Sequence, residues 1–568
     1  MALTPIDIEL LRTALTGVCD EMFIAIMKSA YSTNIKERHD HSAAVFDAKG
    51  RIVAQGESLP LHLASMLGLV EVVLGRYGKD GIRPGDMFIS NDPFAGRGSH
   101  LPDVAVLAPV FHGERLVMFV ANIAHHADVG GMAPGSMSGG MSEIYQEGIR
   151  IPPIRIVEGG KIIDDVFQMI LLNVRVPRER RGDYLAQIAA NRLGIRRLHE
   201  LMARWDIADL QDGMDAIIKA VARRIRAGIA EIPDGIYAFA DVLDDDGMGT
   251  TDIPVKVKIT IKGDRATFDF TGSGAQVRGN MNNSYAGLQA AVLFGLKVLV
   301  DPDGPTNHGM LEPVTILAPA SSVVNASFPA ATAARAQTCQ RIIDVVLGAF
   351  AKAIPERVIA ASNGANGVAA FSGTGPDGTY YLYMETIGGG GGARSYKDGV
   401  DGVQVHVTNT SNLPIEALEN EYPLLIERYE LIEDSGGAGE WRGGMGLRRV
   451  YRGLGHRLTF SGQGERAVHP PWGLFGGKPG GTSRIDLVFD NGKRRHLPSK
   501  PMSIEVDPDA AVWIETPGAG GYGAPRKRSA QDRAEDLRSG KFSARHMRKY
   551  YGSGGTKAAG KKGRGPVR

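Results

Sequence analysis

Behind Thr4-Pro5-Ile6-Asp7, apolar residues Ile8, Leu11, Leu15, Val18, Met22 and Ile26 recur at three- and four-residue spacing. A capping hydroxyl followed by proline at the first helical position predicts an amphipathic opening helix. Ser42 to Phe46 and Arg51 to Ala54 flank Asp47-Ala48-Lys49-Gly50 as a hairpin, and His62 to Tyr77 reads as a second helix. Val104 to Val110 and Leu116 to Ile123, apolar and rich in β-branched and aromatic residues, predict a hairpin turning at His112-Gly113. Helical periodicity then runs from Arg181 to Ala230 and stops at Ile232-Pro233-Asp234-Gly235.

Beyond that turn the pattern changes to alternating strands, Val255 to Ile261 and Ala266 to Phe270. Tyr285 to Val300 and Thr338 to Ala353 read as helices, and the chain to about residue 520 is strand and turn. The 74 glycines in 568 residues are about twice the usual share of roughly 7%. With no internal period, they predict tight turns and close backbone approaches instead of a repeat array. The expected fold is a large multi-layer mixed α/β (α+β) body. It divides into a helical N-terminal region over 1–232, a glycine-rich mixed region over 233–524 and a basic segment over 525–568, largely disordered after 552.

An apolar fraction of 43% and a charged fraction of 23% are those of a soluble globular chain, and no stretch resembles a membrane span. The first residues lack the basic start and apolar core of a signal peptide, so the cytoplasm is the expected location. With Cys19 and Cys339 alone, neither a disulfide framework nor a cysteine-rich zinc module is available. The net charge of +2 is uneven: residues 521–568 carry fourteen Lys or Arg and three Asp or Glu, an excess of +11 that leaves −9 on the rest. An acidic body argues against a nucleic-acid groove, and the Gly- and Lys-rich end reads as a solvated tail.

The candidate chemistry is concentrated in Asn91 to Val104 and in His125-His126-Ala127-Asp128. A turn centred on His112-Gly113 makes antiparallel partners sum to 225, so His100 faces His125 and Asp103 faces Asn122, within the register error of the turn. Two imidazoles and a carboxylate at one end suit zinc, manganese or ferrous iron, with Asp92 or Asp128 as outer support. The same residues also read as ordinary loop histidines and a capping aspartate. The Gly388 to Gly392 run has no following Lys-Ser or Lys-Thr and no apolar helix, so it predicts a tight backbone turn and not a phosphate loop. No Gly-x-Ser-x-Gly elbow occurs, and Cys339 lies on a helical apolar pattern as a buried thiol.

Several segments in fixed order resemble the hydantoinase B / 5-oxoprolinase family. They are Asn34 to Asp40 with Ser42 close behind, Asn91-Asp92-Pro93, Ser99-His100-Leu101-Pro102-Asp103, Phe268 to Gly272, Glu433 to Gly437, Arg442-Gly443-Gly444 and Pro517 to Gly523. The resemblance runs from about residue 5 to 552; His41 and Ser99 depart from the usual pattern and bear on substrate choice. It implies a divalent metal (Mn, Zn or Fe) on His100, Asp103 and His125, as in the acetone carboxylase branch. Asp128 and His126 are the candidates for orienting or proton-transfer roles, and Arg38, Asp40 and His62 for the pocket wall. It implies a hetero-oligomer with an A-type ATP-binding hydantoinase subunit, which holds ATP and Mg and phosphorylates a small-molecule substrate. The activity so implied is ATP-dependent hydrolysis of a cyclic amide. A subunit of an acetone- or acetophenone-type carboxylase, a non-catalytic scaffold and, last, an iron oxygenase are the alternatives.

Overall fold

The computed structural model describes residues 3–56, 59–365 and 367–552. The tail expected after 552 lies outside them, and the part of the basic segment before it folds as two helices, Ala530–Arg538 and Ala544–Tyr551. The opening helix, α1 (Pro5–Ser29), begins at a reciprocal cap: the Asp7 amide donates to Thr4 Oγ1 at 3.2 Å and the Thr4 amide donates to Asp7 Oδ2 at 2.9 Å. The predicted helix over 62–77 is two helices, α2 (Pro60–Leu67) and α3 (Leu69–Tyr77), broken at Gly68. A Cβ at Gly68 would stand 2.6 Å from the Arg97 side chain, so the weak helix former also makes room for a neighbour. A helix the sequence pattern did not predict, α4 (Asp164–Leu172), comes next, and the long helical stretch over 181–230 is resolved into two, α5 (Pro177–Met202) and α6 (Ile207–Ala230).

A seven-stranded sheet carries the candidate residues. Its strands are β1 (His41–Asp47), β2 (Ile52–Gln55), β3 (Met87–Ser90), β4 (Asp103–His112), β5 (Arg115–His125), β6 (Ile154–Glu158) and β7 (Lys161–Ile162), in the order β2-β1-β5-β4-β3-β6-β7. Side chains alternate between its faces. Val45, Val104, Val106 and Val120 pack with α1, α5 and α6, whereas Phe46, Ala105, Leu107, Phe119 and Ala121 face a second cluster. Both faces are covered, which is why β1 is buried along its whole length.

The β4–β5 register departs from the sequence expectation. The two-residue turn is Gly113-Glu114, with Gly113 at φ +59°, so His112 pairs with Arg115; a bulge between Val110 and Phe111 adds one more residue. Asp103 therefore stands opposite His125, and Asn122 opposite Val106.

The second cluster is shared with a four-stranded sheet ordered β11-β10-β9-β8, made of β8 (Gly235–Asp245), β9 (Thr251–Lys262), β10 (Arg265–Asp269) and β11 (Val314–Leu317). Two helices lie between the sheets, α7 (Tyr285–Val300) and α8 (Arg335–Phe350), and every residue of α8 is buried. The apolar cluster thus includes residues from both sides of position 233.

The C-terminal half adds a four-stranded and a five-stranded sheet, packed about Phe371, Tyr383, Tyr451, Phe460 and Val512. Its glycines meet the expectation of close backbone approach: a Cβ at Gly443 or at Gly520 would lie 1.9 Å from the carbonyl oxygen of Ala519 or of Trp472. Helices and mixed sheets together make the mixed α/β body expected. Among the described residues, no helix is long and apolar enough to cross a membrane.

Candidate metal centre

The alternation along β4 and β5 decides which side chains meet. Asp103 and His125 are paired across the strands and share the phase of Ala105, Leu107, Ala121 and Ile123, so both project toward α8. His100 sits in the turn just before β4, where its carbonyl accepts the Asp103 amide at 3.2 Å, and this folds its ring over the strand end. One ligating atom from each of His100, Asp103 and His125 lies within 4.8 Å of the others, and all three residues are buried. The spacing fits a single small cation.

Each group is held from behind. His100 Nδ1 donates to the Ala333 carbonyl at 3.0 Å, which leaves the lone pair of Nε2 facing Asp103. Ser99 Oγ and Arg335 Nη2 both donate to Asp103 Oδ2, leaving Oδ1 on the His100 side at 3.2 Å from Nε2. Asn34 fixes His125: its amide donates to the His125 carbonyl and faces Nδ1 at 3.2 Å, while Nε2 lies 3.3 Å from Met137 Sδ. The turn bearing Ala333 is fixed in turn by Glu147, whose Oε1 accepts the Thr332 and Ala333 amides at 2.7 Å each. His100 Nε2 and Asp103 Oδ1 have no hydrogen-bond partner although both are buried.

Electrostatics favour the ligating protonation states. Burial, with Arg335 adding to it, lowers the pKa of His100, and burial holds His125 well below the usual imidazole range. Both rings are therefore neutral. Burial opposes ionisation of Asp103, but the Arg335 guanidinium beside it favours the charged form, and its carboxyl lies well below the ordinary range. Neutral imidazoles and an ionised carboxylate are the forms that bind a divalent cation.

The surrounding cavity is about 30 Å³, and its wall includes Asp40, His62, Met137, Arg335, Met384 and Thr408. His62 Nε2 lies 3.6 Å from Asp40 Oδ1 and 3.7 Å from Asp103 Oδ1, and Ser42 Oγ holds its Nδ1 at 2.8 Å. Burial pushes the Asp40 carboxyl up to about 6, against the pull of His62 and Arg38. Arg38 stands outside the wall, bonded to Asn34, to the Met384 carbonyl and to Thr386 Oγ1.

His126 and Asp128 are not brought to this cavity. One residue beyond His125, His126 takes the opposite phase, stacks on Tyr184 with ring centroids 4.3 Å apart and bonds Gln187 at 3.0 Å. Asn122 follows the same phase and also reaches Gln187 and Asn191. The Asp128 carboxylate is taken by the Arg175 guanidinium at 2.8 Å and by the amides of Arg175, Gly130 and Gly135. Asp92 is occupied by the Phe94 and Ala95 amides and by Arg150. Sequence reasoning missed Arg335 and Ala333, because the helix over 338–353 begins three residues earlier and nothing in the one-dimensional pattern marks its first turn as a neighbour of β4.

Relatives match more than nine-tenths of this chain. The B component of a putative D-/L-hydantoinase of Pseudomonas sp. (strain NS671) is 31% identical, covering 94% of this chain and 93% of its own. 5-oxoprolinase 1 of Arabidopsis thaliana is 35% identical over 91% of this chain, which spans 42% of that longer protein. Among solved structures, the ATP-dependent caprolactamase of Pseudomonas jessenii superposes with a TM-score of 0.92 at 30% identity, covering 97% of this chain and 96% of that one. A nucleotide-free acetone carboxylase chain shares the fold, with a TM-score of 0.88 at 18% identity over 96% and 79% of the two chains. The family model for hydantoinase B/oxoprolinase matches residues 4–525, and the chain belongs to that family.

Proposed function

We propose that this chain is the B-type subunit of an ATP-dependent hydrolase of cyclic amides, and that His100, Asp103 and His125 hold its divalent cation, manganese, zinc or iron. The observation that carries the reading is the pair of orphaned buried atoms, His100 Nε2 and Asp103 Oδ1, facing one another beside His125. Leaving such atoms unpaired costs roughly 1–3 kcal/mol each, a cost that a shared cation removes. The names of the hydantoinase, oxoprolinase and caprolactamase relatives support the reaction class. That the hydantoinase relative is one component of a larger enzyme supports an A-type partner.

ATP and its magnesium are assigned to that partner. The glycine run here packs on backbone: Cβ atoms at Gly390 and Gly392 would stand 2.2 and 1.9 Å from the Gly444 and Ala360 carbonyl oxygens. A cytoplasmic site for the complex fits the two free, buried cysteines.

Held by His100, Asp103 and His125, the cation would supply Lewis-acid polarisation and would acidify a bound water. The chain's own groups do the rest. Arg335 keeps Asp103 ionised and adds positive charge at the cavity, which favours an anionic, phosphorylated group there. Asp40, with a pKa pushed up to about 6 and His62 at 3.6 Å, is the proton acceptor, and Ser42 orients His62. His126 and Asp128 serve as support, one under β5 and the other tying the following loop to Arg175.

Purified with its ATP-binding partner, the protein is expected to carry about one divalent cation per chain and to lose it in Asp103→Ala. ATP-dependent opening of hydantoin, 5-oxoproline or caprolactam should proceed without bicarbonate. Turnover that requires bicarbonate and a ketone would assign the chain to a carboxylase instead. Absence of metal, with turnover unchanged after all three ligands become alanine, would leave a scaffold.

A further inference from the structure

Two of the three candidate ligands are braced from one short stretch of chain, residues 330–335. The Ala333 carbonyl accepts His100 Nδ1–H at 3.0 Å, and Arg335 donates to Asp103 Oδ2. With Nδ1 held in this way, Nε2 of the same ring keeps its aim at Asp103 only while that carbonyl stays in place. The stretch forms no helix or strand before α8 begins at Arg335, apart from an isolated bridge at Ala330. Its path is therefore set by contacts from elsewhere in the chain.

The Asn282 amide donates to the Ala331 carbonyl at 3.1 Å, and the Ala334 amide donates to the Asn280 carbonyl at 3.0 Å. Between these two points, the amides of Thr332 and Ala333 both converge on Glu147 Oε1 at 2.7 Å each. Glu147 comes 185 positions before Thr332, directly after the single turn Ile144–Gln146, and is fully buried. It is itself fixed against the stretch that it holds: the Ile144 amide donates to the Pro329 carbonyl at 3.0 Å, and a Cβ at Gly131 would stand 2.6 Å from the Glu147 carbonyl carbon.

A buried carboxyl is an expensive group with which to satisfy two neutral amides unless it sheds its charge. Burial pushes Glu147 up to about 8, against the pull of the two amides, so near neutrality Oε2 carries the proton and Oε1 accepts as a carbonyl oxygen does. Oε2 has no hydrogen-bond partner. What the turn requires at this point is an acceptor oxygen, not a negative charge.

We propose that Glu147 is a positioning residue of the metal centre, fixing the Thr332–Ala333 turn so that the Ala333 carbonyl aims His100 Nε2 at the cation. The inference rests on the reading of His100, Asp103 and His125 as ligands, and Glu147 touches none of the three.

The test is titration of the full chain with Mn2+, the free ion being counted by electron paramagnetic resonance, together with the visible spectrum of the Co2+-loaded protein. Glu147→Gln keeps both the acceptor and the volume, and its Mn2+ affinity is expected within about threefold of the parent. Glu147→Met keeps the volume without the acceptor, and it should bind Mn2+ about 10–100-fold more weakly, with a changed Co2+ spectrum as His100 turns away. If Glu147→Met lacks native circular dichroism, Glu147→Asp, which retracts the acceptor by one methylene, takes its place with the same expected loss. A lowered urea midpoint with parent-like Mn2+ affinity would show a merely structural role and overturn the proposal, as would a Gln variant that binds as weakly as the Met or Asp variant. A parent chain that binds no Mn2+ would sink the ligand assignment itself and this proposal with it, whereas a parent and a Met or Asp variant that bind equally well would sink the proposal alone.

Discussion

Asp40, just before β1, and His126, just after β5, show how one end of the sheet separates two kinds of buried titratable group. Asp40 faces the cavity with its pKa pushed up to about 6, so its carboxylate can take a proton near neutrality. Asp40→Asn is expected to lower kcat by about 10²–10⁴ with metal content unchanged, measured by turnover and elemental analysis on one preparation. An undiminished kcat would remove it from proton transfer. His126 is lowered to about 4 by burial, on the face away from the cavity. As pH falls below the ordinary imidazole value of 6.5, the unfolded chain protonates this residue while the folded one does not, until about pH 4. Its contribution to stability is therefore complete above 6.5 and lost progressively from 6.5 down to about 4. The wild type should lose Tm relative to His126→Gln over that window in calorimetry, and parallel curves would show that the ring is not held neutral.

At the scale of elements, the glycine-rich segments are packed so closely that a methyl group has no room. Gly443→Ala places Cβ against the Ala519 carbonyl, and destabilisation of about 1–3 kcal/mol or more is expected, read as a lowered midpoint in urea. These approaches were legible as glycine excess, though which strand meets which was not, since contacts such as Gly443 with Ala519 join segments far apart in the chain. The capped opening helix and the two hairpins were also legible, because each is written locally in spacing and turn residues. The trio His100, Asp103 and His125 followed from the hairpin even though its register was three residues off. The turn centre and the bulge at Val110–Phe111 are not marked by any residue type, and that slip is why Asn122 stands opposite Val106 and not Asp103. Arg335 and Ala333 were invisible because they reach β4 across more than 200 positions of sequence, through packing alone.

Across the whole molecule, α8 links the layers. From its middle, Arg341 reaches Asp241 on β8 at 3.0 Å and Glu465 at 3.1 Å, and Asp344 one turn later meets Arg466 at 2.7 Å and His406 at 3.1 Å. Lys500 closes the network on Glu465 at 3.0 Å. All of these charges are buried or nearly so, and removing one partner strands another. Arg341→Met is expected to cost about 3–5 kcal/mol in denaturant unfolding, and a loss below about 1 kcal/mol would mean that Lys500 and Arg466 suffice. The first residue of the same helix, Arg335, holds Asp103. A rod clamped to the ligand carboxylate at its tip and riveted to the C-terminal half along its shaft cannot slide or tilt without dragging both attachments. Any load placed on the distant half of this protein, such as another polypeptide leaning on it, is therefore felt as a tug on Asp103.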